Sequence, residues 1–454
     1  MARYDQLGTR NGRTVSEPGL RQASGNNLDP WYGAYAARTA GLAASEVRAL
    51  FAVASRPEVV SLAGGMPFVS ALPEDLVTDA MNRVMREQGP VALQYGSGQG
   101  VQKLREQTLE VMALEGIEGS ASDVVITTGS QHALELFSKL FIDPGDVVIA
   151  EGPSYVTAMV IFKSYQAEVD HVPMDNEGLI PEALREHIAR LKADGKTIKF
   201  LYTIPTFHNP AGVTLSEARR SEILQIAREN DILVLEDNPY GLLYFDQKPP
   251  AALRSLESDG VVYLGTFSKT LAPGFRVGWA LAPHAIREKL ILANEAAILC
   301  PSSFSQLVIS QYLEQADWKA QINTFRGVYQ ERKETMLSAL GEYLPDLTWT
   351  DPTGGFYVWL TLPERLDSKA MLPRAVKELV AYTPGTAFYA DGDGRRNMRL
   401  SFCYPTPESI RVGIRRLASV INGELDLLDT FAGTGSLTSA LSRGPYTAPP
   451  PNMS

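Results

Sequence analysis

The chain has 454 residues, of which 44% are hydrophobic and 21% are charged, so it is long enough for two packed domains. Asp and Glu number 52 against 42 Lys and Arg, and the formal net charge of −10 argues against a surface built to bind nucleic acid. With two cysteines and five scattered histidines the sequence has no disulfide framework and no metal-binding motif. It has neither the roughly 20-residue apolar stretch of a membrane helix nor a hydrophobic signal core. We therefore expect a cytoplasmic protein with no metal and no membrane contact.

The first part of the chain contains short apolar runs that alternate with helical patterns. Residues 1–30 are polar and are predicted to be a flexible extension, and residues 31–75 to contribute to a small domain and a substrate pocket. Residues 76–325 are predicted to form the large domain. Its continuous apolar strands imply a mostly parallel sheet covered by helices on both faces. The predicted strands lie at 124–127, 146–150, 198–204, 231–236 and 260–266.

The pattern changes after about residue 330. A helix is followed by the strand FYVWL (356–360), a second helix near 368–381 and the strand MRLSF (398–402). This order predicts a smaller α+β domain over residues 326–423. Ser, Gly and Pro dominate residues 424–454, which are predicted to be a flexible tail.

Reactive residues follow the predicted strands, where α/β sheets bind ligands. Lys269 follows an apolar strand, and a lysine in such a place readily forms a Schiff base with an aldehyde. Asp237 follows another buried strand, where a protonated pyridine nitrogen would stabilise its charge. Ser130 opens a helix, and with Ser268 and Arg276 it could bind a phosphate. Aldehyde, ring nitrogen and phosphate are three parts of one cofactor, pyridoxal 5′-phosphate.

Longer sequence motifs point to a known family. The strings PTFHNPAG, EDNPYG and TFSKTLAPGFRVGW, in this order, resemble the pyridoxal-phosphate aminotransferases of fold type I, class I/II. The resemblance covers about residues 45–420. SLAGGMP (61–67), LQYGSGQG (93–100) and NMRLSF resemble most closely the α-aminoadipate and kynurenine aminotransferase branch. The implied fold is aspartate aminotransferase-like, with a large cofactor-binding domain and a smaller α+β domain.

The resemblance also implies roles for individual residues. Lys269 matches the Schiff-base lysine, Asp237 the carboxylate at the ring nitrogen, and Tyr155 the aromatic ring that stacks on the cofactor. Asn209 and Tyr240 match the pair that binds the ring hydroxyl, and Tyr240 is also assigned to the catalytic set. The phosphate ligands match Ser130, Gln131, Ser268 and Arg276, with Thr266 beside them and Tyr95 reaching the phosphate of a neighbouring subunit in a homodimer. Arg399, with Asn209 and Gly65, matches the site of the substrate α-carboxylate.

The implied reaction is transfer of the amino group of an L-amino acid to a 2-oxo acid, most simply 2-oxoglutarate, by a ping-pong mechanism. A lyase on the same scaffold is an alternative enzyme. A pyridoxal-phosphate-binding regulator is an alternative that is not an enzyme, and it is disfavoured because only about 45 residues precede the domain. For the donor side chain, Arg38 or Arg48 are candidates to bind a distal carboxylate. Trp31, Tyr32 and Tyr35 are candidates to line an aromatic pocket.

Overall fold

The structure is a computed structural model that describes residues 31–41 and 56–437. Its α-helices are α1 (Glu74–Ala92), α2 (Gln102–Ala113), α3 (Ser130–Phe141), α4 (Val156–Ser164), α5 (Pro181–Ala193), α6 (Glu217–Glu229), α7 (Leu253–Leu256), α8 (His284–Ile298), α9 (Ser303–Gln315), α10 (Trp318–Tyr343), α11 (Ser368–Lys377) and α12 (Pro407–Leu437). Its strands are β1 (Val60–Ser61), β2 (Val124–Thr127), β3 (Val147–Gly152), β4 (Glu168–Asp175), β5 (Gly178–Leu179), β6 (Ile198–Thr203), β7 (Leu233–Asp237), β8 (Val261–Thr266), β9 (Gly278–Leu281), β10 (Thr348–Trp349), β11 (Tyr357–Thr361), β12 (Val380–Ala381), β13 (Thr383–Pro384) and β14 (Asn397–Ser401).

The central sheet has eight strands in the order β2-β9-β8-β7-β6-β3-β4-β5. Its middle, from β8 to β4, is parallel, and β2, β9 and β5 pair antiparallel at the two ends. The predicted mostly parallel sheet is therefore confirmed. Because parallel strands all end at one edge, the loops after β6, β7 and β8 lie side by side.

Both faces of the central sheet are covered by helices. On β3, Val148 and Ala150 pack toward α3, α4 and α8, whereas Val147 and Ile149 pack toward α5 and α6. All four side chains are buried. This alternation explains why the strands read as continuous apolar runs in the sequence.

A second sheet of four antiparallel strands, ordered β10-β11-β14-β13, lies in the C-terminal part of the chain. The short strand β1 pairs with β12 and so connects the start of the core to this C-terminal part. The domain boundary at residue 325/326 stays a prediction. Helix α12 continues to Leu437, so residues 424–437, assigned to the tail from their composition, are helical.

The residues before β1 are described in part. The 3-10 helix Ala37–Gly41 contacts α4, which packs on the central sheet. Within the described residues, no helix has the length and apolar character needed to cross a membrane.

Candidate active site

A cavity of about 280 Å³ opens at the edge of the central sheet where β6, β7 and β8 end. It brings together residues that the sequence analysis assigned to cofactor and substrate from widely separated segments. The predicted residues lining it are Gly65, Ser130, Gln131, Tyr155, Asn209, Asp237, Tyr240, Thr266, Ser268, Lys269, Arg276 and Arg399.

Asp237 is the last residue of β7 and its side chain is buried. Its Oδ2 accepts a hydrogen bond from the Tyr202 hydroxyl at 2.9 Å, whereas its Oδ1 has no partner among the described residues. Burial raises the pKa of Asp237 to about 6, and the bond from Tyr202 and the nearby Lys269 act in the opposite direction. A buried carboxylate oxygen without a donor is costly, so this oxygen is poised to accept a proton donor from a ligand.

Lys269 follows β8 and is half-buried. Its Nζ donates to the carbonyl oxygen of Gly65 at 2.9 Å and lies 5.7 Å from the centre of the Phe356 ring. Desolvation lowers the pKa of Lys269 to about 8, and the cations of Arg399 and Arg276 act in the same direction. The amine is therefore partly neutral near physiological pH, which is the form that acts as nucleophile or base.

A cradle for an anion lies between the start of α3 and the loop after β8. Gly129 precedes α3 with a φ of +84°, and a Cβ atom there would lie 2.6 Å from the Arg276 guanidinium. Arg276 itself donates to Ser268 Oγ at 3.4 Å and to the Thr128 carbonyl at 3.3 Å. The Thr266 hydroxyl accepts the backbone N–H of Ser268 at 3.1 Å. The backbone N–H groups of Ser130 and Gln131 at the helix start, the Ser268 hydroxyl and the Arg276 guanidinium form a site suited to phosphate.

Arg399 comes from β14 and reaches the cavity from the second sheet. Its guanidinium donates to Asn209 Oδ1 at 2.8 Å and to the carbonyl oxygen of Ala63 at 2.6 Å, while its buried Nε has no partner among the described residues. It lies 4.2 Å from the centre of the Tyr357 ring. The Tyr240 hydroxyl donates to that of Tyr357 at 3.3 Å. These contacts fix the orientation of the Arg399 guanidinium, and its Nε–H remains available to donate to a carboxylate.

Some predicted residues do not line this cavity. Tyr95 lies outside it with 77% of its surface exposed, as do Trp31 and Tyr35, which are 68% and 55% exposed. Arg38 lies near Tyr165 instead. Among the described residues, Trp31, Tyr35 and Arg38 therefore do not line the cavity of their own chain, and the role of Tyr95 at the phosphate of a neighbouring subunit stays a prediction. Arg48 and the side chain of Tyr32 lie outside the described residues.

Tyr202 and Tyr357 also belong to the site, although neither was predicted from the sequence. Tyr202 interrupts an otherwise apolar buried strand, and a buried tyrosine needs a partner for its hydroxyl. This signal was available in the sequence. Tyr357 lies directly against Gly65, where an added Cβ atom would overlap the tyrosine hydroxyl. That contact joins residues almost 300 positions apart and had no sequence signal.

The residues present fit pyridoxal phosphate. The unpartnered Oδ1 of Asp237 would complete a bond to a protonated ring nitrogen, the cradle at Ser130 and Arg276 would hold the phosphate, and Lys269 has a lowered pKa suited to the aldehyde. The unpartnered Nε of Arg399 leaves a donor for the substrate carboxylate.

Comparisons with known proteins agree with this geometry. The family described as aminotransferase class I and II matches residues 59–417. The aromatic-amino-acid aminotransferase 1 of Thermococcus litoralis is 42% identical over 395 residues, which cover 86% of this chain and 94% of the relative.

Two solved structures have the same fold. The kynurenine aminotransferase of Pyrococcus horikoshii, solved in complex with PMP, KYN and KYA, superposes with a TM-score of 0.83 at 41% identity and covers 86% of this chain and 97% of its own. The α-aminoadipate aminotransferase of Thermus thermophilus, complexed with N-(5′-phosphopyridoxyl)-L-leucine, gives a TM-score of 0.81 at 35% identity, covering 87% of this chain and 99% of its own.

These matches span nearly the whole described chain and include proteins that carry pyridoxal-derived ligands. The expected fold class, family and cofactor are confirmed. The chain belongs to the class I and II aminotransferases and is a pyridoxal 5′-phosphate-dependent aminotransferase of fold type I.

Proposed function

We propose that this enzyme transfers the amino group of an L-amino acid with an aromatic or aminoadipate-like side chain to 2-oxoglutarate by a ping-pong mechanism. The proposal depends mainly on one observation: Lys269 and Arg399 both donate hydrogen bonds to the backbone of the short segment 63–65. The Lys269 amine donates to the carbonyl of Gly65, and the Arg399 guanidinium donates to that of Ala63. A carboxylate bound at Arg399 would therefore bring its α-carbon toward the lysine.

The roles of the chain's own residues follow from their contacts. Arg399 binds the α-carboxylate, and Asn209 fixes the guanidinium through the bond to its Oδ1. When bound, pyridoxal phosphate supplies an electron-withdrawing ring that accepts the electron pair left at the α-carbon. Asp237 Oδ1 would accept a hydrogen bond from a protonated ring nitrogen. Lys269 Nζ would take the α-proton from the substrate and deliver it to the cofactor carbon that keeps the amino nitrogen. The lowered pKa of Lys269 makes the amine a base near neutral pH.

The donor range is supported by the cavity wall and by the relatives. Tyr155, Ile204 and Tyr357 give the wall an aromatic and apolar character. Among the described residues that line the cavity, the basic ones are Lys269, Arg276 and Arg399, all assigned above. The distal carboxylate of 2-oxoglutarate or aminoadipate then needs another cation, and Arg48 is our candidate. Relatives named for aromatic amino acids and for α-aminoadipate support both kinds of donor.

We also propose a homodimer in which Tyr95 completes the phosphate site of the neighbouring subunit. Tyr95 is exposed and lies outside its own chain's cavity. Val91 and Leu93 beside it expose 61% and 74% of their surfaces, and Leu299 exposes 54%. Such an apolar area is typical of a subunit interface. Sedimentation that shows a fully active monomer would contradict this arrangement.

The experiment that tests the function measures glutamate formed from 2-oxoglutarate with a panel of aromatic, acidic and aliphatic amino donors. We expect parallel double-reciprocal plots for the good donors, as ping-pong kinetics require. Lys269→Ala should lower kcat by at least 10³-fold, on the order expected for loss of a nucleophile and base. Lys377→Ala, at an exposed position of α11, is the matched control and should behave as wild type. Transfer by Lys269→Ala at the wild-type rate would refute the proposal.

Arg48→Ala separates the two donor classes. If Arg48 binds the distal carboxylate, the variant should have a KM for 2-oxoglutarate and aminoadipate raised at least tenfold, with aromatic donors unaffected. Unchanged kinetics with acidic substrates would remove Arg48 from the proposal.

A further inference from the structure

The segment 237–241 separates two cavities. Asp237, Pro239 and Tyr240 line the active-site cavity. Asn238 and Gly241 line a second cavity of about 220 Å³ on the opposite side of the segment. The backbone that carries Asp237 and Tyr240 therefore has the active-site cavity on one side and the second cavity on the other.

Glu115, which follows α2, contacts this rear side directly. It is buried, and its Oε1 accepts a hydrogen bond from Asn238 Nδ2 at 3.0 Å. Asn238 Oδ1 in turn accepts the backbone N–H of Gly241 at 3.0 Å. A Cβ atom at residue 241 would overlap Glu115 Oε1, so the carboxyl group lies against the backbone of the segment.

The carboxyl of Glu115 is itself held from the other side. Its Oε2 accepts a hydrogen bond from the hydroxyl of Tyr263, a residue of β8. The backbone carbonyl of Glu115 accepts the N–H of Ala252 at 3.0 Å. Glu115 thus connects β8, the strand that leads to Lys269, with the segment 237–241, which carries Asp237 and Tyr240.

We propose that Glu115 is a positioning residue, which holds the 238–241 segment so that Asp237 and Tyr240 face the cofactor. It touches neither cofactor nor substrate, since it does not line the active-site cavity. Burial of a carboxyl group costs free energy of folding. A positioning role would explain why such a group lies behind the active site.

The test compares Glu115→Ala with Glu115→Gln in the full-length enzyme. The glutamine keeps an oxygen that can accept from Asn238, so its affinity for pyridoxal phosphate should stay within about threefold of wild type. The alanine removes both hydrogen bonds, and we expect the Kd for pyridoxal phosphate to rise at least tenfold. Glu118→Ala is the matched control, since Glu118 is an exposed glutamate three residues away.

The readouts are the Kd from visible absorbance titration of the apoenzyme, and kcat per bound cofactor. We expect kcat per bound cofactor to fall in Glu115→Ala while the KM for the amino donor changes little, because Arg399 belongs to another strand. If Glu115 contributed only to stability, Glu115→Ala would lower the melting temperature but leave the Kd for pyridoxal phosphate and kcat per bound cofactor unchanged. Cofactor affinity does not depend on the amino donor, so an error in the proposed donor range would leave this test intact.

Two further variants keep the proposal falsifiable if Glu115→Ala does not fold. Asn238→Ala should weaken cofactor binding by a similar factor, and Tyr263→Phe by a smaller one. The double variant Glu115→Gln, Asn238→Ala should be no worse than Asn238→Ala alone, because both changes act through one contact. Wild-type affinity in Asn238→Ala, or in a folded Glu115→Ala, would overturn the proposal.

Discussion

The Tyr202 hydroxyl determines much of the acidity of Asp237. Burial raises the pKa of this carboxyl to about 6, and the hydrogen bond from Tyr202 is the strongest influence that lowers it. The other carboxylate oxygen has no partner among the described residues. The negative charge that Asp237 offers to a protonated ring nitrogen near neutral pH therefore depends largely on the Tyr202 hydroxyl, with Lys269 acting in the same direction.

Tyr202→Phe should move the pH dependence of cofactor binding. The bond from the hydroxyl stabilises the ionised carboxylate, so its removal raises the pKa of Asp237, and a larger fraction becomes protonated at pH 6–7. We expect the loss of pyridoxal phosphate affinity on acidification to begin about one pH unit higher than in wild type. Absorbance titrations of the apoenzyme between pH 5.5 and 8 measure this. The titrating groups of the cofactor itself affect both proteins equally, so they do not contribute to the difference between the two pH profiles.

The control is Tyr312→Phe, which removes a buried hydroxyl that has no partner among the described residues. It should leave the pH dependence unchanged. Identical profiles for Tyr202→Phe and wild type would show that the bond does not set the acidity of Asp237.

Elements of the central sheet support the loop that carries Asn209. Glu151 on β3 is buried, and its carboxylate accepts the Thr203 hydroxyl at 2.7 Å and the Ile204 N–H at 2.9 Å, just past β6. It also lies 3.0 Å from Nε2 of the buried His208. His208 precedes Asn209, whose side chain holds Arg399. One carboxylate therefore joins two neighbouring strands to the substrate site.

Glu151→Ala should be strongly destabilising. It leaves the buried donors Thr203 Oγ1 and Ile204 N–H without an acceptor, and each unsatisfied buried donor costs about 1–3 kcal/mol. We expect a lower melting temperature together with a raised KM for the amino donor. Glu168→Ala is the control, since its ion pair with Lys196 is solvent-exposed and contributes at most about 1 kcal/mol. Equal melting temperatures for the two variants would contradict this account.

Strands that are buried on both faces were easier to predict from the sequence than polar or short strands. The five predicted strands of the central sheet are buried on both faces, so each appears as an apolar run. Strand β4 was missed because its sequence, EVDHVPMD, is polar and partly exposed. Strand β9 was missed because it is short and directly follows the loop of Arg276.

At the scale of the whole molecule, the active site draws on both sheets. Residues after β6, β7 and β8 were predictable because each follows a strand whose end is marked in the sequence. Tyr357 on β11 and Glu115 behind the segment 237–241 were not predicted, because their contacts depend on packing between distant parts of the chain. Motifs show which groups bind a cofactor, but the residues that hold those groups in place emerge from the three-dimensional structure.

The stability of the apoenzyme should depend on pH through its buried carboxyl groups. Burial raises the pKa of Glu115 to about 7, with Glu236 acting in the same direction and Tyr263, Asn238 and Arg220 opposing it. The cavity beside it is also lined by three cationic side chains, those of Lys248, Lys319 and Arg326.

The direction follows from proton binding. Between the ordinary pKa of 4.5 and about 7, the folded chain keeps the Glu115 proton and the unfolded chain releases it. The folded state binds more protons there, so the free energy of unfolding falls as the pH rises through this window. Asp237 acts in the same direction between its ordinary value of 3.8 and about 6.

Glu115→Gln isolates the contribution of Glu115 to the pH dependence of the unfolding free energy, because a glutamine does not titrate. From pH 5 to pH 8 the wild-type apoenzyme should lose about 2 kcal/mol more unfolding free energy than the variant, measured by urea denaturation at each pH. Bound pyridoxal phosphate should remove the contribution of Asp237 to this pH dependence, since a protonated ring nitrogen favours the ionised form of Asp237. The contribution of Glu115 should remain. Parallel pH curves for wild type and Glu115→Gln would show that Glu115 is already ionised in the folded chain at pH 5.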